Sequence, residues 1–152
     1  MLIIGVSGGS GSGKTTLVEE LIKTTPNHTF SVLPQDAYYK DNSHLSLEDR
    51  KLLNFDQPGA IDFMLLISHI NQLQKGISIS RPIYSFLTCS RERETIPVFS
   101  NEILIVEGIL IFTNNVLLKK FDIKVYVEAT PDEMLKSIII RDTKERGKEK
   151  VG

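Results

Sequence analysis

Short apolar runs at Leu2 to Val6, Phe30 to Leu33, Ile103 to Val106 and Ile123 to Val127 each end in polar or glycine residues. Runs of this length, rich in Ile, Val and Leu, predict strands buried on both faces. Between them the period changes. After Lys14 the apolar residues Leu17, Val18, Leu21 and Ile22 predict a helix that Pro26 closes. A second helix is predicted over Asp62 to Lys75, with Asp62 as N-cap, an inward face of Leu65, Leu66, Ile70 and Leu73, and Gly76 as terminator. A third is announced by Thr130-Pro131-Asp132-Glu133, a capping-box spacing followed by Met134, Leu135, Ile138 and Ile139. Alternating strand and helix predicts an α/β fold, a parallel sheet with helices on both faces.

Two stretches break the alternation. The polar segment from Pro34 to Gln57 holds one short helical start at Ser46-Leu47-Glu48-Asp49, and 77–100 reads as an irregular hairpin region around Pro82 and Pro97. Insertions after strand ends are where α/β folds keep substrate contacts. A length of 152 residues then fits a single domain, 1–152. The net charge of -1 excludes bulk attraction to nucleic acid or to an acidic membrane. Cys89 is the only cysteine, so no internal disulfide forms. With no basic leader before the first apolar run and no span of bilayer length, a cytoplasmic protein is expected. His28, His44 and His69 have neither metal-ligand spacing nor an evident partner, and no chemistry is assigned to them.

The chemistry starts at Gly8-Gly9-Ser10-Gly11-Ser12-Gly13-Lys14-Thr15, followed by Thr16, a complete G-x-x-x-x-G-K-[ST] between a strand and a helix. Its glycines let successive backbone N-H groups face one anion, and the following helix adds the positive end of its dipole. Lys14 is expected on the β- and γ-phosphates and the Thr15 hydroxyl on Mg²⁺. Glu107 ends an inner strand, where an acid faces the same site and holds the metal through water; the other reading is a capping or solvent-facing glutamate.

Asp36 follows the second strand at the same sheet edge, suited to accept the proton of an attacking hydroxyl, although an Asx turn would use the position equally well. Asn54-Phe55-Asp56 and Tyr84-Ser85-Phe86 join aromatic faces with a carboxylate, which suits an acceptor with a flat ring and hydroxyls; taken alone, such spacing also describes core. Arg141-Asp142 and Glu145-Arg146-Gly147-Lys148 offer a basic cover over a triphosphate, or an ion-paired helix end. No guanine-reading Asn-Lys-x-Asp and no transporter Leu-Ser-Gly-Gly occurs.

Taken in order, GVSGGSGSGKTT (Gly5 to Thr16), QDAYY (Gln35 to Tyr39), NFDQPGAID (Asn54 to Asp62), PIYSF (Pro82 to Phe86), SRERE (Ser90 to Glu94), VEGIL (Val106 to Leu110) and RDTKERGK (Arg141 to Lys148) resemble the uridine kinase (uridine-cytidine kinase) family. The resemblance implies a P-loop NTPase-like α/β fold with an inserted acceptor hairpin and a lid over 141–150. It implies phosphoryl transfer from ATP or GTP, with Mg²⁺, to the 5'-hydroxyl of uridine or cytidine in pyrimidine salvage, by a homo-oligomer with no nucleic-acid or membrane partner. Asp36 resembles the family's catalytic carboxylate, Tyr39 lines its acceptor pocket, and Asp56 resembles the acid on the ribose hydroxyls. Phe55, Tyr84 and Phe86 fall with the aromatic residues around the pyrimidine, and Arg141 and Arg146 with the lid arginines. The chain departs from the pattern at Cys89, where a histidine usually meets the base edge, at Ser137 and Ile138, where arginines stand, and at Lys148, which replaces an arginine beside the substrate. The family also continues through a helix and strand beyond the position of Gly152. Two alternatives stay open: a kinase for another small hydroxylated metabolite, and a non-catalytic nucleotide-binding regulator.

Overall fold

The computed structural model describes residues 1–129; the helix expected from Thr130 and the lid over 141–150 lie outside them. The four apolar runs form one parallel sheet of β1 (Leu2–Gly8), β2 (Phe30–Pro34), β5 (Ile103–Glu107) and β6 (Ile123–Val127), in the order β2-β5-β1-β6. Between β2 and β5 the chain forms an antiparallel hairpin, β3 (Ile79–Ser85) and β4 (Ser90–Val98), in the predicted insertion. Its register shifts between Pro82 and Tyr84. Proline removes a ladder donor and is tolerated at such irregularities.

Alternation along the inner strands splits the core in two. Leu104 and Val106 join Ile3 and Leu33 on one face, under α3 (Phe63–Gln74), whose Leu66, Ile70 and Leu73 are fully buried. Ile105, Ile4 and Val6 point to the other face with Val18 of α1 (Lys14–Thr24). The two predicted helices thus cover opposite faces. The Asp62 carboxylate caps α3 by accepting the Leu65 N-H at 3.1 Å, and Ser46 caps α2 (Leu47–Lys51) by accepting the Asp49 N-H at 3.2 Å.

Three details differ from the sequence expectation. Among the described residues β6 is an edge strand whose Tyr126 is 63% exposed, with Val125 and Val127 packing inward. A short helix, α4 (Asn115–Leu118), is capped by the Asn114 side chain, which accepts the Leu117 N-H at 3.0 Å; one turn is too short to show a period. The histidines without an evident partner include two that have one. His28 meets Glu102 at 3.0 Å on the surface, and the buried His69 meets the Tyr38 hydroxyl at 2.7 Å, across 74 and 31 residues of sequence.

The connections decide where a site can form. From β1 the chain crosses to β2 on one side, and from β5 to β6 on the other, so the topology reverses between neighbouring β1 and β5. Ligands of open parallel sheets bind outside the carboxyl ends of the strands at such a reversal.

Candidate active site

At that reversal a cleft of about 760 Å³ opens. Its floor is the glycine-rich loop. Gly8, Gly11 and Gly13 have φ of 149°, 75° and 99°, a left-handed region that side chains other than glycine rarely enter. A Cβ on Gly8 would also lie 2.4 Å from the Val127 carbonyl oxygen and 2.7 Å from Ser12 Oγ, so no larger residue fits there. Gly13 starts α1 with no side-chain cap, which leaves the first N-H groups of the helix turned toward the loop. Ser10, Gly11, Gly13, Lys14, Thr15 and Thr16 line the cleft, while Gly9 gives its carbonyl to Lys14 Nζ at 3.0 Å. Ser12 is buried, and its Oγ has no hydrogen-bond partner among the described residues. A loop with glycine-only geometry, an orphaned hydroxyl and a buried lysine fits a polyphosphate.

Glu107 faces the loop from the end of β5, paired in register with Val6, and lines the same cleft as Thr15. Among the described residues no three His, Cys, Asp or Glu side chains form a metal cage. One hydroxyl and one carboxylate are what Mg²⁺ takes from a protein when phosphates and water supply its other ligands. These residues therefore fit that ion.

Asp36 sits in a 3-10 turn, Gln35–Tyr38, directly after β2, and lines the cleft opposite the loop. Its neighbour Gln35 fixes the turn. The Gln35 side chain is fully buried, its Oε1 accepts the Leu110 N-H at 2.6 Å, and it lies so close to Gly108 that a Cβ there would collide with it. Asp36 and Glu107 are thereby carried by segments locked to each other. The far side of the turn is held by the Asp62 N-H donating to the Tyr38 carbonyl at 2.8 Å. Arg91 of β4 donates through Nε to the Tyr39 carbonyl and through Nη2 to Asp62 Oδ2, both at 3.1 Å.

Tyr39 is the hub of an aromatic cluster. Its ring lies 5.2 Å from Phe55, 5.1 Å from Tyr84 and 6.0 Å from Phe86, in edge-on or tilted contacts. Tyr39, Phe55 and Phe86 line the cleft together with Asp56. Tyr84 stands behind them as part of the core, and burial pushes its hydroxyl up to about 12. Cys89 lines a smaller cavity next to the cleft rather than the cleft itself. Arg141, Arg146 and Lys148 lie outside the described residues.

Sequence reasoning missed Glu19, Leu53 and Ile109 in the lining. Glu19 had a signal, since it lies one helical turn past Thr15 on the same face of α1. Arg91 falls in the quoted SRERE stretch, but its partners, 29 and 52 residues away, left no spacing to read.

Comparison with known proteins bears on the whole chain. Residues 3–152 match the Phosphoribulokinase / Uridine kinase family. This chain belongs to that family. Its family relatives include a uridine kinase of Clostridium novyi (strain NT), 42% identical over 97% of this chain and 71% of that protein, and a uridine kinase of Brevibacillus brevis, 44% identical over 97% of this chain and 69% of that protein. The fold of this family member is shared with a candidate fructose transport system kinase from Silicibacter sp. TM1040, at a TM-score of 0.76 and 22% identity over 97% of this chain and 74% of that one. Among the described residues of the family member, no helix is long and apolar enough to cross a membrane.

Proposed function

We propose that this kinase-family enzyme transfers the γ-phosphoryl group of ATP or GTP to the 5'-hydroxyl of uridine or cytidine, as a pyrimidine-salvage enzyme of the cytoplasm that works as a homo-oligomer. The observation that carries the proposal is a single cleft lined at once by Lys14 and Thr15, by Asp36, and by the rings of Tyr39, Phe55 and Phe86. The relatives named uridine kinase support the choice of acceptor.

On this reading the loop N-H groups and Lys14 hold the donor's β- and γ-phosphates. Thr15 and Glu107 would hold Mg²⁺, which would supply neutralisation of the phosphate charge. Tyr39, Phe55 and Phe86 clasp the flat ring, and Asp56 takes the ribose hydroxyls. Asp36 accepts the 5'-hydroxyl proton as the new O-P bond forms and the bond between the γ-phosphorus and the bridging oxygen breaks, releasing the nucleoside diphosphate. Residues 77–100 serve as the acceptor insertion of a single domain, 1–152, and 141–150 as its lid, with Arg141 and Arg146 on the donor and Lys148 beside the substrate.

The test is ADP release from Mg-ATP in the presence of uridine, cytidine, purine nucleosides, pantothenate or small sugars. Release stimulated by uridine or cytidine is the expected result. Stimulation by another compound alone would replace the acceptor, and silence across the panel with nucleotide binding intact would replace the enzyme with a binder.

A further inference from the structure

A second cavity, of about 330 Å³, shares Phe55 and Phe86 with the main cleft and is completed by Lys51 and Cys89. It adjoins the cleft at the aromatic pair. Two segments distant in sequence face each other across it, and a neighbouring side chain staples them together. Arg50, one residue before Lys51, donates through Nη1 to the carbonyl of Thr88, one residue before Cys89, at 3.0 Å. Its Nε and Nη2 hold the carbonyls of Leu45 and Ser43, each at 2.9 Å. A guanidinium with three backbone carbonyls fixes the separation of the two walls. Cys89 closes the corner in a left-handed conformation, φ 51°.

The hydrogen-bonding character of this cavity is one-sided. Phe55 and Phe86 offer ring surface. The Cys89 thiol is a weak donor and is turned to the Phe86 carbonyl, with Sγ 3.6 Å from the oxygen. The remaining lining residue is Lys51, whose ammonium has three donors and no acceptor.

We propose that Lys51 reads the edge of the acceptor ring farthest from the ribose and selects a keto pyrimidine over an amino one. This rests on the nucleoside kinase reading above, which lays the ring between Phe55 and Phe86 with its ribose toward Asp36. The far ring edge then enters the smaller cavity. In uridine that edge carries a carbonyl oxygen, which accepts from the ammonium. In cytidine it carries an amino group, a donor set against a donor, so that bond is not made.

The experiment measures kcat/KM for uridine and for cytidine in the wild-type protein, in Lys51→Met and in Lys51→Glu. Methionine keeps the apolar stem and removes the charge, while glutamate puts an acceptor in the same place. The wild type should prefer uridine, Lys51→Met should lower the uridine-to-cytidine ratio about tenfold, and Lys51→Glu should lower it further. Thermal melts of the variants guard against misfolding, since the Arg50 staple is untouched in both. Ratios within about twofold of wild type in both variants overturn the inference while leaving the kinase reading intact. Phosphorylation of neither nucleoside by the wild type overturns that reading and the inference with it.

Discussion

The donor wall of the cleft is one continuous stretch of chain, Gly8 to Thr16, and what it offers a ligand is mostly backbone: glycine-only φ values, N-H groups at the start of α1 and one lysine. The acceptor wall is assembled from side chains on three separate segments, Asp36 and Tyr39 after β2, Phe55 and Asp56 before α3, and Phe86 at the hairpin turn. A backbone anion site is set by local geometry, so a short motif fully specifies it. A side-chain site exists only when tertiary contacts bring its parts together. The donor wall should therefore fail through single residues, and the acceptor wall through the contacts that hold its segments in place.

Lys14→Ala tests the first half. Lys14 is 7% exposed with its ammonium drawn to the Gly9 carbonyl, and no other cation lines the cleft among the described residues. Turnover in the ADP-release assay should fall by about 10³-fold, with weaker triphosphate binding. Near-wild-type turnover would mean that the donor does not sit on this loop.

Asp36→Asn tests the group at the junction of the two walls. The change keeps the size of the side chain and the turn that Gln35 anchors, and removes the proton acceptor. Turnover should drop by about 10²-fold or more with donor and acceptor binding largely kept. Unchanged turnover would remove Asp36 from the role of base.

Arg91→Ala tests the second half without substituting any residue of the cleft lining. Losing the donors to the Tyr39 carbonyl and to Asp62 should loosen the aromatic hub. The acceptor KM should rise about tenfold, with the donor KM unmoved. Arg91→Lys should not restore it, because one ammonium cannot reproduce a planar fork reaching two oxygens. A donor KM that rises equally would show global damage and erase the distinction between the walls.

The same contrast explains what the sequence disclosed. The four strands, the loop, both main helices and the caps at Ser46 and Asp62 rest on local patterns and could be read directly. Asp36 and Glu107 were legible because strand ends in a parallel sheet share one edge. The Arg91 clamp, the Arg50 staple across 38 residues and the Tyr38 to His69 contact leave no periodic trace, since nothing about an isolated arginine or histidine names a partner. Tyr84 illustrates the ambiguity of aromatic spacing: within one Tyr-Ser-Phe triplet it packs as core while Phe86 faces the cleft.

The smallest effect concerns how the Asp36 turn is pinned to α3. Tyr38 is fully buried and its hydroxyl meets His69 Nδ1 at 2.7 Å. Tyr38→Phe removes that bond and should cost about 1 kcal/mol, a fall of roughly 3 °C in Tm. The same contact makes stability depend on pH. Burial first, and the charge of Arg91 second, hold the His69 imidazole below its ordinary value, against a smaller opposing pull from Asp62. In the window between that lowered value and about 6.5, the unfolded chain binds more protons than the folded one, so stability rises with pH there. The contribution is complete above the window and is lost as the pH falls through it, because the neutral ring must charge in a buried place. Melting wild type and His69→Gln from neutral to mildly acidic pH isolates the effect, since glutamine keeps an acceptor for the Tyr38 hydroxyl and does not titrate. The wild type should lose more Tm than the variant on acidification. Equal losses would mean that His69 takes up its proton as readily in the folded protein as in the unfolded chain.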